Sequence, residues 1–99
     1  MSSQDIKSKI RSIITKTVSA TTTPVLLLAE DEQREYLEIQ NQGQGTITFK
    51  FGSAPADSVD GYKVAGLASW WPPTDKDITA AIYVRGLAAT QSVKVFYGK

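Results

Sequence analysis

The apolar positions follow two different rhythms. Near the start, Ile6, Ile10, Ile13 and Ile14 are spaced by four, seven and eight, the period of a helix face, with Lys7, Lys9, Arg11 and Lys16 between them. The same stretch is crowded with Ser and Thr, and its isoleucines are β-branched, which weakens a helix. Residues 1–20 are therefore read as a short N-terminal helix or extended arm. From Thr15 the run Thr-Lys-Thr-Val-Ser favours an extended chain, and Thr21 to Pro24 reads as a bend.

After Pro24 the period falls to two. In Thr46 to Phe51, Ile47, Phe49 and Phe51 point one way while Thr46, Thr48 and Lys50 point the other, the pattern of a half-buried strand. Leu37 and Ile39 alternate with Glu38 and Gln40. The intervening Asn41-Gln-Gly-Gln-Gly45 predicts a hairpin joining the two runs. Further strands are predicted at Tyr62–Ala65, Leu67–Trp71, Thr79–Arg85 with Ala80, Ile82 and Val84 inward, and Ser92–Tyr97 with Val93, Val95 and Tyr97 inward.

Val25-Leu-Leu-Leu28 does not alternate, which predicts a strand covered on both faces, the second cover being the N-terminal segment or a neighbouring subunit. The turn-rich stretch Gly52 to Gly61 is long enough to cross between sheets, and Pro72-Pro73 ends any ladder. The fold class is thus all-β: an antiparallel β-sandwich or jelly-roll-like domain of about seven strands over residues 21–99, preceded by the arm.

Composition narrows the chemistry. The 99 residues contain neither histidine nor cysteine, which removes Cys/His zinc sites, thiol nucleophiles, Ser-His-Asp triads and disulfides. A net charge of +1 gives no strong electrostatic footprint for nucleic acid, and no apolar run approaches the roughly 20 residues of a membrane helix. A soluble, non-enzymatic chain made in a cytoplasm is expected, with no catalytic, cofactor-binding or metal-binding residues.

The carboxylates Glu30, Asp31, Glu32, Glu35 and Glu38 surround Arg34, but Glu30 to Glu32 read as a solvated turn and lack the spacing of a calcium loop. Asp57, Asp60, Asp75 and Asp77 fall where Asp closes turns. Gly43-Gln-Gly45 precedes a strand rather than a helix, so it is no phosphate cradle. Trp70 and Trp71 are more informative. Adjacent strand residues face opposite ways, so only one indole enters a single core and the other is left for a surface or an interface.

The order Arg34-Glu-Tyr-Leu-Glu-Ile-Gln-Asn-Gln-Gly43, Ile47, Phe51-Gly52-Ser53, Gly61, Gly66, Pro73-Thr74, Ala81-Ile82-Tyr83 and Val93-Lys-Val-Phe-Tyr-Gly98 resembles small β-rich structural proteins of tailed bacteriophages that decorate a capsid or serve as head or tail accessory subunits. The likeness covers roughly residues 18 to 98. It implies a virion structural protein that forms a homo-oligomer, a trimer being favoured, and attaches to other virion proteins such as capsid or tail subunits. The N-terminal segment is longer than that pattern. Ile6, Ile10, Ile13, Ile14, Trp70 and Trp71 are the expected interface residues. The alternative reading is a carbohydrate- or receptor-binding module using Trp70, Trp71, Tyr83 or Tyr97 as stacking platforms.

Overall fold

The computed structural model describes residues 13–57, 60–74 and 76–98, and among them every regular element is a strand. There are eight: β1 Ile13–Ala20, β2 Val25–Leu28, β3 Tyr36–Asn41, β4 Ile47–Phe51, β5 Tyr62–Val64, β6 Ser69–Trp70, β7 Ile82–Gly86 and β8 Gln91–Gly98. One antiparallel sheet has the order β1-β8-β3-β6 and the other β2-β7-β4-β5. First pairs with last, second with seventh, third with sixth and fourth with fifth. A single long hairpin rolled over on itself produces this pairing, which is the jelly-roll arrangement.

The eighth strand is β1. Its Thr-rich, β-branched sequence suits a pleated surface, and it pairs with β8 at every position from Ile13 opposite Gly98 to Ala20 opposite Gln91. A continuous ladder therefore overrides the helical spacing at Ile13 and Ile14, and the sandwich includes Ile13–Ala20, ahead of the bend. Ile6 and Ile10 lie outside the described residues.

Alternation predicted inward faces well. Leu37, Ile39, Ile47, Phe49, Ile82, Val84, Val93 and Val95 form the buried centre, joined by Leu27, Leu28 and Val64. It predicted partners less well. β3 and β4 are not a hairpin but belong to opposite sheets. The connection between them is pulled across the sandwich by Asn41, whose buried amide donates to the carbonyls of Gly45, Val64 and Ala65 at 2.6, 3.1 and 3.2 Å and accepts from the Gly43 amide at 3.0 Å. At Gly43 an added Cβ would meet the Gln91 side-chain amide, which would have to move aside.

The Gly52 to Gly61 loop likewise joins β4 and β5 within one sheet instead of crossing. It folds over that sheet's outer face, burying Pro55, held by Arg85 donating to the Ala56 carbonyl at 3.2 Å and by Lys50 paired with Asp60 at 3.1 Å.

The aliphatic strand β2 is covered within the chain on one face only. A register shift between Leu26 and Leu28 turns both Leu27 and Leu28 inward and leaves Leu26 44% exposed. An irregularity in the ladder, not a second cover, explains the missing alternation.

Candidate interaction surface

Two faces of the four-stranded β1-β8-β3-β6 sheet carry the candidate residues. Its inner face meets the core. Trp70 pairs with Ile39 and packs edge-on against Phe49, with ring centroids 4.7 Å apart. Phe51 and Tyr62 complete a four-ring cluster at this side of the sandwich, and the Lys76 ammonium sits 4.4 Å from the Phe51 ring centroid. Trp70 therefore finishes the hydrophobic interior. Tyr97, from β8, also packs against the core.

Trp71 emerges on the opposite face and is 57% exposed. Next to it, across the outer face, come the alternate residues of β3, namely Tyr36, Glu38 and Gln40, and then Phe96 and Lys94 of β8, which pair with Glu38 and Gln40. The Tyr36 hydroxyl donates to the Glu38 carboxylate at 3.2 Å. Burial, then the bond to Glu38 and its charge, push the Tyr36 phenol above its ordinary pKa, while the Trp71 indole, a donor toward the same hydroxyl, opposes them. Lys94 lies 5.3 Å from the Phe96 ring centroid. The result is a flat, mixed surface on which aromatic faces alternate with polar groups.

The other open region is the start of β1. Ile13 is 56% and Ile14 42% exposed, on opposite faces of an edge strand. Ile14 shares its pairing row with Tyr97 and Leu37, so it points to the inner side. There β2 ends at Leu28, which reaches the same region from the facing sheet. A groove of about 300 Å³ is left, with Ile14, Leu28 and Tyr97 lining it and Lys16, Glu30 and Asp31 at its margin.

Arg34 lies beneath this groove, 4% exposed, and donates to the carbonyls of Ala29, Ile78 and Ala80 at 2.5, 2.6 and 3.1 Å. Desolvation lowers its pKa, opposed by the nearby Asp31 carboxylate. Nothing in the sequence singles it out: its three partners are main-chain carbonyls five to 46 positions away.

Three of the other carboxylates close turns, and Asp75 lies outside the described residues. Asp31 accepts from the Gln33 amide at 3.0 Å, Asp60 from the Ala56 amide at 2.9 Å and Asp77 from the Thr79 amide at 2.9 Å. Glu38 is separated from the Glu30 to Glu35 turn by its place on the outer face of β3. Among the described residues no group of three or more metal-capable side chains comes together. Tyr83, the remaining stacking candidate, lies on β7 between Leu26 and Lys50.

No family model matches this chain, and no match is found among curated proteins or solved structures. The strand pairing alone assigns the architecture.

Proposed function

We propose that this chain is a non-enzymatic structural subunit of a tailed-phage virion, a decoration or accessory protein that assembles with copies of itself, as a trimer, and attaches to a capsid or tail surface. The observation that carries this reading is the pair Ile13 and Ile14, 56% and 42% exposed on opposite faces of an edge strand. Full burial of one such side chain contributes about 1.5–3 kcal/mol, a large gain for a domain of this size. Among the described residues β1 is the edge strand of its sheet, and an edge offers main-chain groups suited to contact with another chain. The jelly roll hosts many functions, so it supports this reading only by being compatible with it.

The test is light scattering coupled to size-exclusion chromatography over a wide concentration range. The expected species has three times the 10.8 kDa chain mass, and Ile13→Ser with Ile14→Ser shifts it to monomer. A strictly monomeric wild type at high concentration overturns the proposal.

A second reading, a carbohydrate- or receptor-binding module on the same fold, is favoured by the exposed Trp71 beside Tyr36, Glu38 and Gln40, where an indole face and hydrogen-bonding groups lie together. Specific binding on a glycan array that is lost in Trp71→Ala would place recognition ahead of scaffolding.

A further inference from the structure

We propose that the outer face of the β1-β8-β3-β6 sheet binds a β-1,4-linked chain of gluco-configured pyranoses laid across the strands, with alternate rings stacked on Trp71 and Phe96. This rests on the recognition reading above and specifies its ligand. The first support is the row in which the two aromatics stand. Glu38 pairs with Phe96 of β8 on one side and, one residue beyond the Ile39 to Trp70 pair, faces Trp71 on the other. Phe96 in turn pairs with Thr15 of β1. Trp71 and Phe96 are thus two strand spacings apart, roughly 10 Å, which is the length of the disaccharide repeat of such a chain. Its rings are flat, carry their hydroxyls at the rim, and present the same apolar face at every second position.

The second support is preorganisation. The Trp71 indole is 57% exposed, yet its N–H is directed at the Tyr36 hydroxyl, which donates to Glu38 at 3.2 Å. The polar edge of the indole is held and its face is left bare, so little side-chain freedom is lost when a ring stacks on it. Between the platforms, the Glu38 carboxylate has further lone pairs for sugar hydroxyls. In the next row Lys94 pairs with Gln40, whose side-chain oxygen accepts from Gln42 at 3.2 Å and whose amide is a donor. Acceptors and donors therefore flank the rings, and a hydroxyl uses both.

The third support separates a glycan from a protein. The apolar core of a protein interface is depleted in charge. Here Glu38 stands between the two rings and Lys94 lies 5.3 Å from the Phe96 ring centroid. An apolar partner surface would strip water from a carboxylate and an ammonium along with the rings, whereas a sugar offers each of them hydroxyls. Among the described residues, Thr15 and Trp71 are exposed at the two ends of the row, while the outer face of the other sheet carries the Gly52 to Gly61 loop. The row is open at both ends and admits a long chain.

Isothermal titration of the full-length chain with cellohexaose and chitohexaose tests this, with tryptophan emission as a second signal and maltohexaose, α-linked and coiled, as the control. Saturable binding of a β-1,4-linked hexaose is expected, at least about ten-fold tighter than that of maltohexaose. Trp71→Ala and Phe96→Ala each lower the affinity at least about ten-fold while keeping the wild-type unfolding transition. Should Phe96→Ala lose that transition, Phe96→Leu takes its place. Binding that is lost in Trp71→Ala but unchanged in the Phe96 variant overturns the two-platform inference alone. So does equal binding of maltohexaose, or a glycan-array ligand of another kind with no binding of either β-1,4-linked hexaose. An array without any ligand overturns the recognition reading as well.

Discussion

Replacing Arg34 with methionine keeps the length of the side chain and removes three hydrogen bonds at once, those to the carbonyls of Ala29, Ile78 and Ala80. These acceptors belong to the segment following β2 and the segment leading into β7, so the guanidinium ties together two stretches that have no ladder of their own. A hydrogen bond to a charged donor contributes a net of about 1.5–3 kcal/mol. Part of that is offset here by the cost of burying the charge, the same desolvation that lowers the Arg34 pKa. Water in the adjacent groove can satisfy some of the abandoned carbonyls. About 1–1.5 kcal/mol per bond is a reasonable net value, giving a loss of about 3–4.5 kcal/mol for Arg34→Met out of a total of roughly 5–15 kcal/mol. Arg34→Lys supplies one ammonium in place of the fork and should lose about 2 kcal/mol. Urea unfolding followed by circular dichroism measures both, with an unchanged denaturant slope certifying that the midpoint shift is a stability change. A loss below about 1 kcal/mol for Arg34→Met, or a lysine variant indistinguishable from wild type, would refute the idea that the fork holds these segments.

Phe49→Ala empties the centre of the four-ring cluster and should cost about 3–5 kcal/mol in the same assay, since Phe49 is fully buried. Asp60 and Asp77 have pKa values below the ordinary 3.8, Asp60 chiefly through the Ala56 amide and then Lys50, Asp77 through the Thr79 hydroxyl and amide. Their stabilisation is complete above the unfolded-state pKa and is lost as pH falls through the lower folded values, so thermal midpoints should drop between roughly pH 5 and pH 2 and drop less in Asp60→Asn/Asp77→Asn. Trp71→Phe should remove the acrylamide-quenchable part of the fluorescence and change stability by less than about 0.5 kcal/mol, leaving the shielded emission of Trp70. A variant still fully quenchable would contradict the assignment of the two faces.

Period-two alternation reveals which way a side chain points because the pleat forces it, and so Ile39, Phe49, Val84 and Val95 were legible as core. It carries no information about which strand lies alongside. The β3 to β4 stretch alternates identically whether it makes a hairpin or crosses the sandwich, and the buried amide of Asn41 settles the matter through contacts up to 24 positions away. The N-terminal isoleucines were ambiguous for a related reason: four residues satisfy a helical period easily, while the ladder offered by β8 is written some 80 positions later. The opposed faces of Trp70 and Trp71 followed from adjacency alone. The groove and the Arg34 fork arise from chain segments meeting in space, and no local pattern announces them, whereas the Tyr36 to Glu38 contact joins two alternate residues of one strand.

Strand β8 is sandwiched between β1 and β3, in the middle of its sheet. During translation both flanking strands are finished long before Gln91–Gly98 leaves the ribosome, and until then neither has its neighbour. Sheet closure consequently waits for β8 and is dominated by distant pairings, which makes folding slow and leaves bare strand edges waiting in a crowded cell.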